Sequence, residues 1–152
     1  MLGKSGRLGG WWRKAPEAIV PVLRARIARE RAAIGAFNDT LERSLQSQVS
    51  ESALRAVQVA LDELLTNVIM HAEQAAGPIE VEIVREQNIV ATTISYIADE
   101  FDPTSWRPAP RGTTVAAARI GGLGIQMVRT LMDEFSYAYD AGRNVVTLRK
   151  RC

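Results

Sequence analysis

Val57, Leu61, Leu64 and Val68 recur at three- and four-residue spacing through a stretch that also sets Glu63, Asn67 and His71 four apart. Residues four apart on an α-helix lie nearly above one another, so the first set predicts a core-facing stripe and the second a polar ridge on the opposite side. Ser50 and Ser52 supply N-cap chemistry at the start of this helix, which is predicted to run to about Ala72, with Gly77-Pro78 as the break beyond it. Ahead of it, Ile34, Phe37, Leu41 and Leu45 mark another helix over residues 30–45. That stripe packs either on the chain's own sheet or on a second copy in a homodimer, and the former is expected.

Period-two patterns predict the strands. Residues 19–28 read as a first strand through Val20 and Val22, weakened by the arginines among them. Residues 79–85 and 89–97 form a predicted hairpin across Glu86-Gln87-Asn88. Residues 98–121 hold Pro103, Pro108, Pro110 and Gly112 without a period, which predicts a long loop of the kind that more often serves as a binding lid. Gly121-Gly122-Leu123-Gly124 then opens a helix to about Met132, with Ile125, Val128 and Met132 on its inner side. Two last strands, 135–139 and 145–149, are joined by a turn over residues 140–144 that contains Gly142. This order predicts an α/β fold of the α+β two-layer sandwich type, in which a mixed, mostly antiparallel sheet carries its helices on one face.

Composition narrows the class. A chain of 152 residues with 47% apolar and 24% charged side chains suits one globular domain, assigned to residues 19–152. Residues 1–18 are Gly-rich and basic and carry Trp11-Trp12, which predicts a flexible arm or, alternatively, a segment that docks on a partner. A formal charge of +2 is too small to argue for direct nucleic-acid binding, although residues 1–31 hold eight lysines and arginines against Glu17 and Glu30. No run approaches the ~20 apolar residues that span a bilayer, and no signal peptide is read. The one cysteine, Cys152, makes no internal disulfide, which fits a reducing compartment and a cytoplasmic location.

Two features carry chemistry. A half-buried helix that turns Glu63 and Asn67 toward one place can position water and a metal ion. The glycine turn lets backbone approach a ligand closely, and the unpaired first amides of the following helix suit a phosphate. It lacks the Lys-Ser/Thr ending of a P-loop, which excludes that class of nucleotide site. His71, the sole histidine, reads as a helix-end residue favoured by the dipole, and without cysteines or a second histidine it makes no zinc site. Arg111 and Arg119 reach phosphates from the lid or are simply solvated.

Glu63 and Asn67 on one helix, a strand running into Phe101-Asp102-Pro103, a proline-rich lid, and Gly122-Leu123-Gly124 followed by Met132-Asp133 and Tyr137 resemble the ATP-binding domain of the anti-sigma factor serine kinases. These belong to the GHKL superfamily of histidine kinases, gyrase-type ATPases and heat-shock chaperones, and the resemblance covers about residues 54–150. It implies that Asn67 holds the Mg²⁺ bridging the phosphates of ATP, and that Glu63 acts as general base or orients the nucleophile. It further implies that the backbone of Gly122, Leu123 and Gly124 meets the phosphates and that Thr147 helps read adenine, although Thr147 alone reads as a strand threonine.

One departure stands out: where the family has Asp-x-Gly, whose aspartate accepts from the adenine amino group, this chain has Tyr96 and Ala98. Asp99 does not slide into the role, because the residue two further on is Phe101, and Asp99 and Glu100 are expected in the loop. Losing a hydrogen bond to a charged partner costs about 1.5–3 kcal/mol, or roughly 10- to 150-fold in affinity. The implied function is an ATP- and Mg²⁺-dependent serine kinase that phosphorylates an anti-sigma antagonist of the STAS fold and holds a sigma factor. The alternatives are a partner-switching binding module of the same fold that has lost catalysis, and an ATPase fragment of another system.

Overall fold

Ser50 opens the longest helix. Its backbone is extended and its hydroxyl accepts from the amide of Ala53 at 3.2 Å, while Glu51 places a carboxylate in the first turn, where the helix dipole is positive. The helix ends at His71, and the next amide, that of Ala72, still bonds back to the carbonyl of Val68. The computed structural model describes residues 19–107 and 122–152. Their elements are β1 (Leu23–Ile27), α1 (Arg31–Leu45), α2 (Glu51–His71), β2 (Ala76–Glu86), β3 (Ile89–Ile97), α3 (Gly122–Leu131), β4 (Glu134–Asp140) and β5 (Arg143–Arg151). The arm at residues 1–18, with Trp11-Trp12, lies outside the described residues, as do Arg111, Arg119 and most of the expected lid.

The strands form one sheet in the order β1-β2-β3-β5-β4, and each neighbouring pair is antiparallel. The expected mixed character is therefore not seen among the described strands. β3 and β4 do run the same way, but the return of the chain through a hairpin inserts β5 between them. Strands β2, β3 and β5 alternate buried and partly exposed positions, so one face of the sheet packs under the helices. The α1 stripe of Ile34, Phe37, Leu41 and Leu45 is buried in this same core, with Val57, Leu61, Leu64 and Val68 of α2, which answers the choice between own core and second copy.

The arginines that weakened the first strand turn out to belong to its outer face. Leu23, Ala25 and Ile27 pack inward, whereas Arg24 pairs with Glu82 at 2.6 Å and Arg26 approaches Glu80 at 3.9 Å across the β1–β2 ladder. Gly77-Pro78 falls after the helix, inside a register irregularity at the start of β2, where a residue without an amide hydrogen disturbs no regular ladder. Arg29 holds this junction, donating to the carbonyls of Gly77 at 2.7 Å and Ile97 at 3.0 Å.

The β4–β5 turn consists of Ala141 and Gly142, with φ of 48° and 78°. Two successive left-handed residues match the twist of a hairpin, and Gly142 takes that conformation freely, but a β-carbon at Ala141 is strained there. Ala141→Asn is expected to stabilise the fold, raising the free energy of unfolding by about 1 kcal/mol, because asparagine tolerates the left-handed region better. A denaturation midpoint equal to the parent's, at the same slope, would contradict that account.

Candidate functional site

The sheet, two helices and the segment after β3 enclose a cavity of about 600 Å³, within the range of roughly 300–1,000 Å³ typical of small-molecule sites. Its floor is the helix-facing side of the sheet, through Ile94 and Tyr96 of β3 and Val146 of β5. One wall is α2, through Leu64, Asn67, Val68 and His71, and Ile125 of α3 closes the space beside it. The opposite wall is the segment after β3, which contributes Asp99, Glu100, Phe101, Pro103 and Trp106.

Asn67 faces the cavity, but beside Leu64 and Val68 of the apolar stripe rather than on the side of the helix opposite to them, because residues three and four apart share one helix face. Glu63 does not line the cavity itself. One turn nearer the start of α2, its carboxylate packs against Gly124 in the first turn of α3. A β-carbon built on Gly124 would stand 3.1 Å from Glu63 Cδ and still closer to its Oε2, so only glycine fits with the carboxylate in this position. The glycine turn and the polar ridge therefore meet directly. Gly122 begins α3, and Leu123 is 82% exposed, so its side chain takes no part in the meeting. His71 occupies the helix end, as expected, and also lines the cavity.

Tyr96 is 3% exposed and forms part of the floor, so the 600 Å³ is what remains with its ring in place. Burial first, then neighbouring Tyr137, pushes its hydroxyl up to about 12 against the opposing influence of Arg29, so the group is a neutral hydroxyl at physiological pH. Ala98 is buried but does not line the cavity, and what it offers is its carbonyl, an acceptor for Asn144. Thr147 is a correction. Val146 and Leu148 on either side of it face the helices, so the strand's alternation turns Thr147 to the outer face of the sheet, away from the cavity.

Other residues of the site were not singled out beforehand. Asp99 and Glu100 are in the loop, as expected, yet both line the cavity and bring carboxylates to its far wall. Asn144, with no exposed surface, reaches this loop from β5, donating Nδ2 to the carbonyls of Ala98 at 3.3 Å and Asp99 at 3.1 Å. Its Oδ1 accepts from the amide of Phe101 at 3.0 Å and from the hydroxyl of Tyr137 at 2.6 Å. Further along, Asp102 accepts from the amide and hydroxyl of Thr104 at 2.8 and 2.6 Å. Arg129 of α3 donates to the carbonyls of Thr104 and Trp106, at 2.6 Å each, and so ties this wall to the helix that carries the glycines. An asparagine in step with the inward Val146 and Leu148 was the signal that could have revealed Asn144.

The described lining contains three carboxylates, of Glu73, Asp99 and Glu100, and no lysine or arginine. Among the described residues, no group of three or more His, Cys, Asp and Glu could hold a metal ion by itself. A cation here would need most of its oxygens from a ligand. That is the habit of Mg²⁺, which keeps few protein ligands and takes phosphate oxygens and water for the rest, and the carboxamide of Asn67 suits it as a single oxygen donor.

A helix layer on one face of an antiparallel sheet, with a ligand-sized cavity between the two and a glycine turn at its rim, defines the class of domain. The sequence pattern of the histidine kinase-like ATPase domain matches residues 23–150, and the chain belongs to that family. Among curated proteins it is similar to the serine-protein kinase RsbW of Listeria monocytogenes, 31% identical over 103 residues, which cover 64% of this chain and 66% of that protein. It is also similar to the serine/threonine-protein kinase BtrW of Bordetella bronchiseptica, 30% identical over 90 residues, covering 57% of this chain and 63% of that protein. The chain therefore spans just under two thirds of the length of the curated relatives it matches. Among solved structures, the histidine kinase AdeS of Acinetobacter baumannii aligns with a TM-score of 0.46 at 9% identity, over 85% of this chain and 67% of that one. No helix among the described residues is long and apolar enough to cross a membrane.

Proposed function

We propose that this domain binds ATP with Mg²⁺ in the cavity and transfers the γ-phosphoryl group to a serine of a protein partner. The observation that carries this reading is the contact of the Glu63 carboxylate with Gly124, one helical turn from Asn67 in the cavity wall. In this reading the triphosphate lies against the first amides of α3, contributed by Gly122, Leu123 and Gly124, where the helix dipole favours negative charge. Asn67 is the protein's ligand to Mg²⁺. When bound, the ion neutralises the phosphate oxygens, a need made acute by the acidic lining. Glu63 orients the serine hydroxyl and accepts its proton as the oxygen bonds to the γ-phosphorus and the bond to the bridging oxygen breaks, leaving ADP.

For the base, Tyr96 supplies a flat apolar wall and a neutral hydroxyl, and Asp99 or Glu100 supplies the carboxylate that position 96 lacks. The similarity to serine-protein kinases supports the choice of acceptor. The resemblance of the motifs extends the proposal to an anti-sigma antagonist of the STAS fold as substrate and to a sigma factor as a second partner. A binding module without catalysis is the second reading, favoured only by Tyr96 and Ala98. The open 600 Å³ beside Tyr96 weighs against it.

Calorimetry tests the core of the proposal. ATP should bind at least about tenfold more tightly, about 1.4 kcal/mol, with Mg²⁺ than with a chelator present, and Asn67→Ala should remove the difference. No heat at millimolar ATP under either condition would retire the nucleotide reading.

A further inference from the structure

Regular strand pairing between β3 and β5 ends at Ile97 and Arg143, yet Asp99, Glu100 and Phe101 of the cavity wall follow one residue later. No ladder holds them. In its place is one side chain from β5. Asn144 uses both amide hydrogens and both oxygen lone pairs, and its bonds to the carbonyls of Ala98 and Asp99 and to the amide of Phe101 bracket the segment from either end. Tyr137 takes the remaining lone pair. Burial, then Glu100, raises the pKa of the Tyr137 hydroxyl, which keeps it a donor. A further bond, from the amide of Asp99 to the carbonyl of Glu73, joins the segment to the chain leaving α2.

Only asparagine satisfies this arrangement. Aspartate presents no donor to the two carbonyls, leucine of similar size presents nothing, and the added methylene of glutamine carries its carboxamide out of step with these partners. We propose that Asn144 is the positioning residue for the base-facing wall of the cavity, setting how tightly the nucleotide's base is held without touching the nucleotide. The proposal rests on the nucleotide reading above. It assigns the base, as distinct from the phosphates, to the side lined by Asp99, Glu100 and Phe101.

Asn144→Asp and Asn144→Leu are compared with the parent for binding of ATP and of inorganic triphosphate, both with Mg²⁺, and for amide hydrogen exchange. ATP affinity should fall at least about tenfold, whereas triphosphate, which has no base, should bind within about twofold of the parent. In Asn144→Leu, which removes the acceptor of the Phe101 amide, exchange there should accelerate, while the amide of Ile94 in β3 stays protected. Equal weakening of ATP and triphosphate in either variant, or parental protection at Phe101 in Asn144→Leu, would overturn the proposal. Should neither variant fold, Tyr137→Phe decides. It removes one donor to Asn144 and should produce the same split between ATP and triphosphate at smaller size, and no split there refutes the role. If the parent binds triphosphate but not ATP, the base assignment fails together with the nucleotide reading, and the exchange measurement still decides whether Asn144 holds the loop.

Discussion

Glutamine in place of Glu63 is expected to slow phosphoryl transfer by about 10²- to 10⁴-fold, the usual contribution of a positioned general base, while ATP affinity stays within about threefold of the parent. The split follows from location. Glu63 is outside the cavity lining and packed on Gly124, so under the proposed function it acts on the incoming hydroxyl rather than on the bound nucleotide. Glutamine preserves the size of the side chain and its fit against α3, leaving the loss of a proton acceptor as the main change. Single-turnover transfer from γ-labelled ATP to a serine-bearing partner, measured beside calorimetric affinity, separates the two quantities. Parental transfer rates in the variant would reduce Glu63 to a packing residue.

Gly124→Ala is expected to impair transfer by a similar order without loss of stability. Its β-carbon would claim the space of the Glu63 carboxylate, and because the displaced atoms are the far end of a flexible side chain, the carboxylate swings aside before the helices separate. Alanine is also better than glycine inside a helix by about 0.8–1 kcal/mol, so the melting temperature should hold or rise. Few substitutions predict a protein that is at least as stable and much less active. A variant with unchanged transfer would mean that the catalytic position of the carboxylate is elsewhere, and a marked fall in melting temperature would mean that the α2–α3 contact cannot relax.

The helices were largely legible because their signals are local. Ser50, the buried stripe of α2 and the ridge of Glu63 and Asn67 depend only on spacing within one element. The strand β1 was harder, since its arginines look unsuited to a strand until Glu82 and Glu80 are known to lie opposite. Asn144 was assigned to a turn, because asparagine is poor in strands, whereas the turn needs only Ala141 and Gly142. Thr147 was placed by analogy although the period-two pattern of Val146 and Leu148 already turned it outward. Asp99 in the cavity wall was not readable at all. Its position is set by a side chain 45 residues later in the sequence and by the carbonyl of Glu73, and neither contact leaves a local pattern.

The grip of Arg129 on Thr104 and Trp106 has a thermodynamic consequence. One guanidinium fastens the indole-bearing wall to the same rigid rod whose opening turn faces Glu63, so displacement of that rod on anion arrival would be transmitted to the indole. Were an anion at that first turn to displace the helix, occupancy there and occupancy beside Trp106 would be linked quantities, and any factor by which one favoured the other would hold equally in reverse.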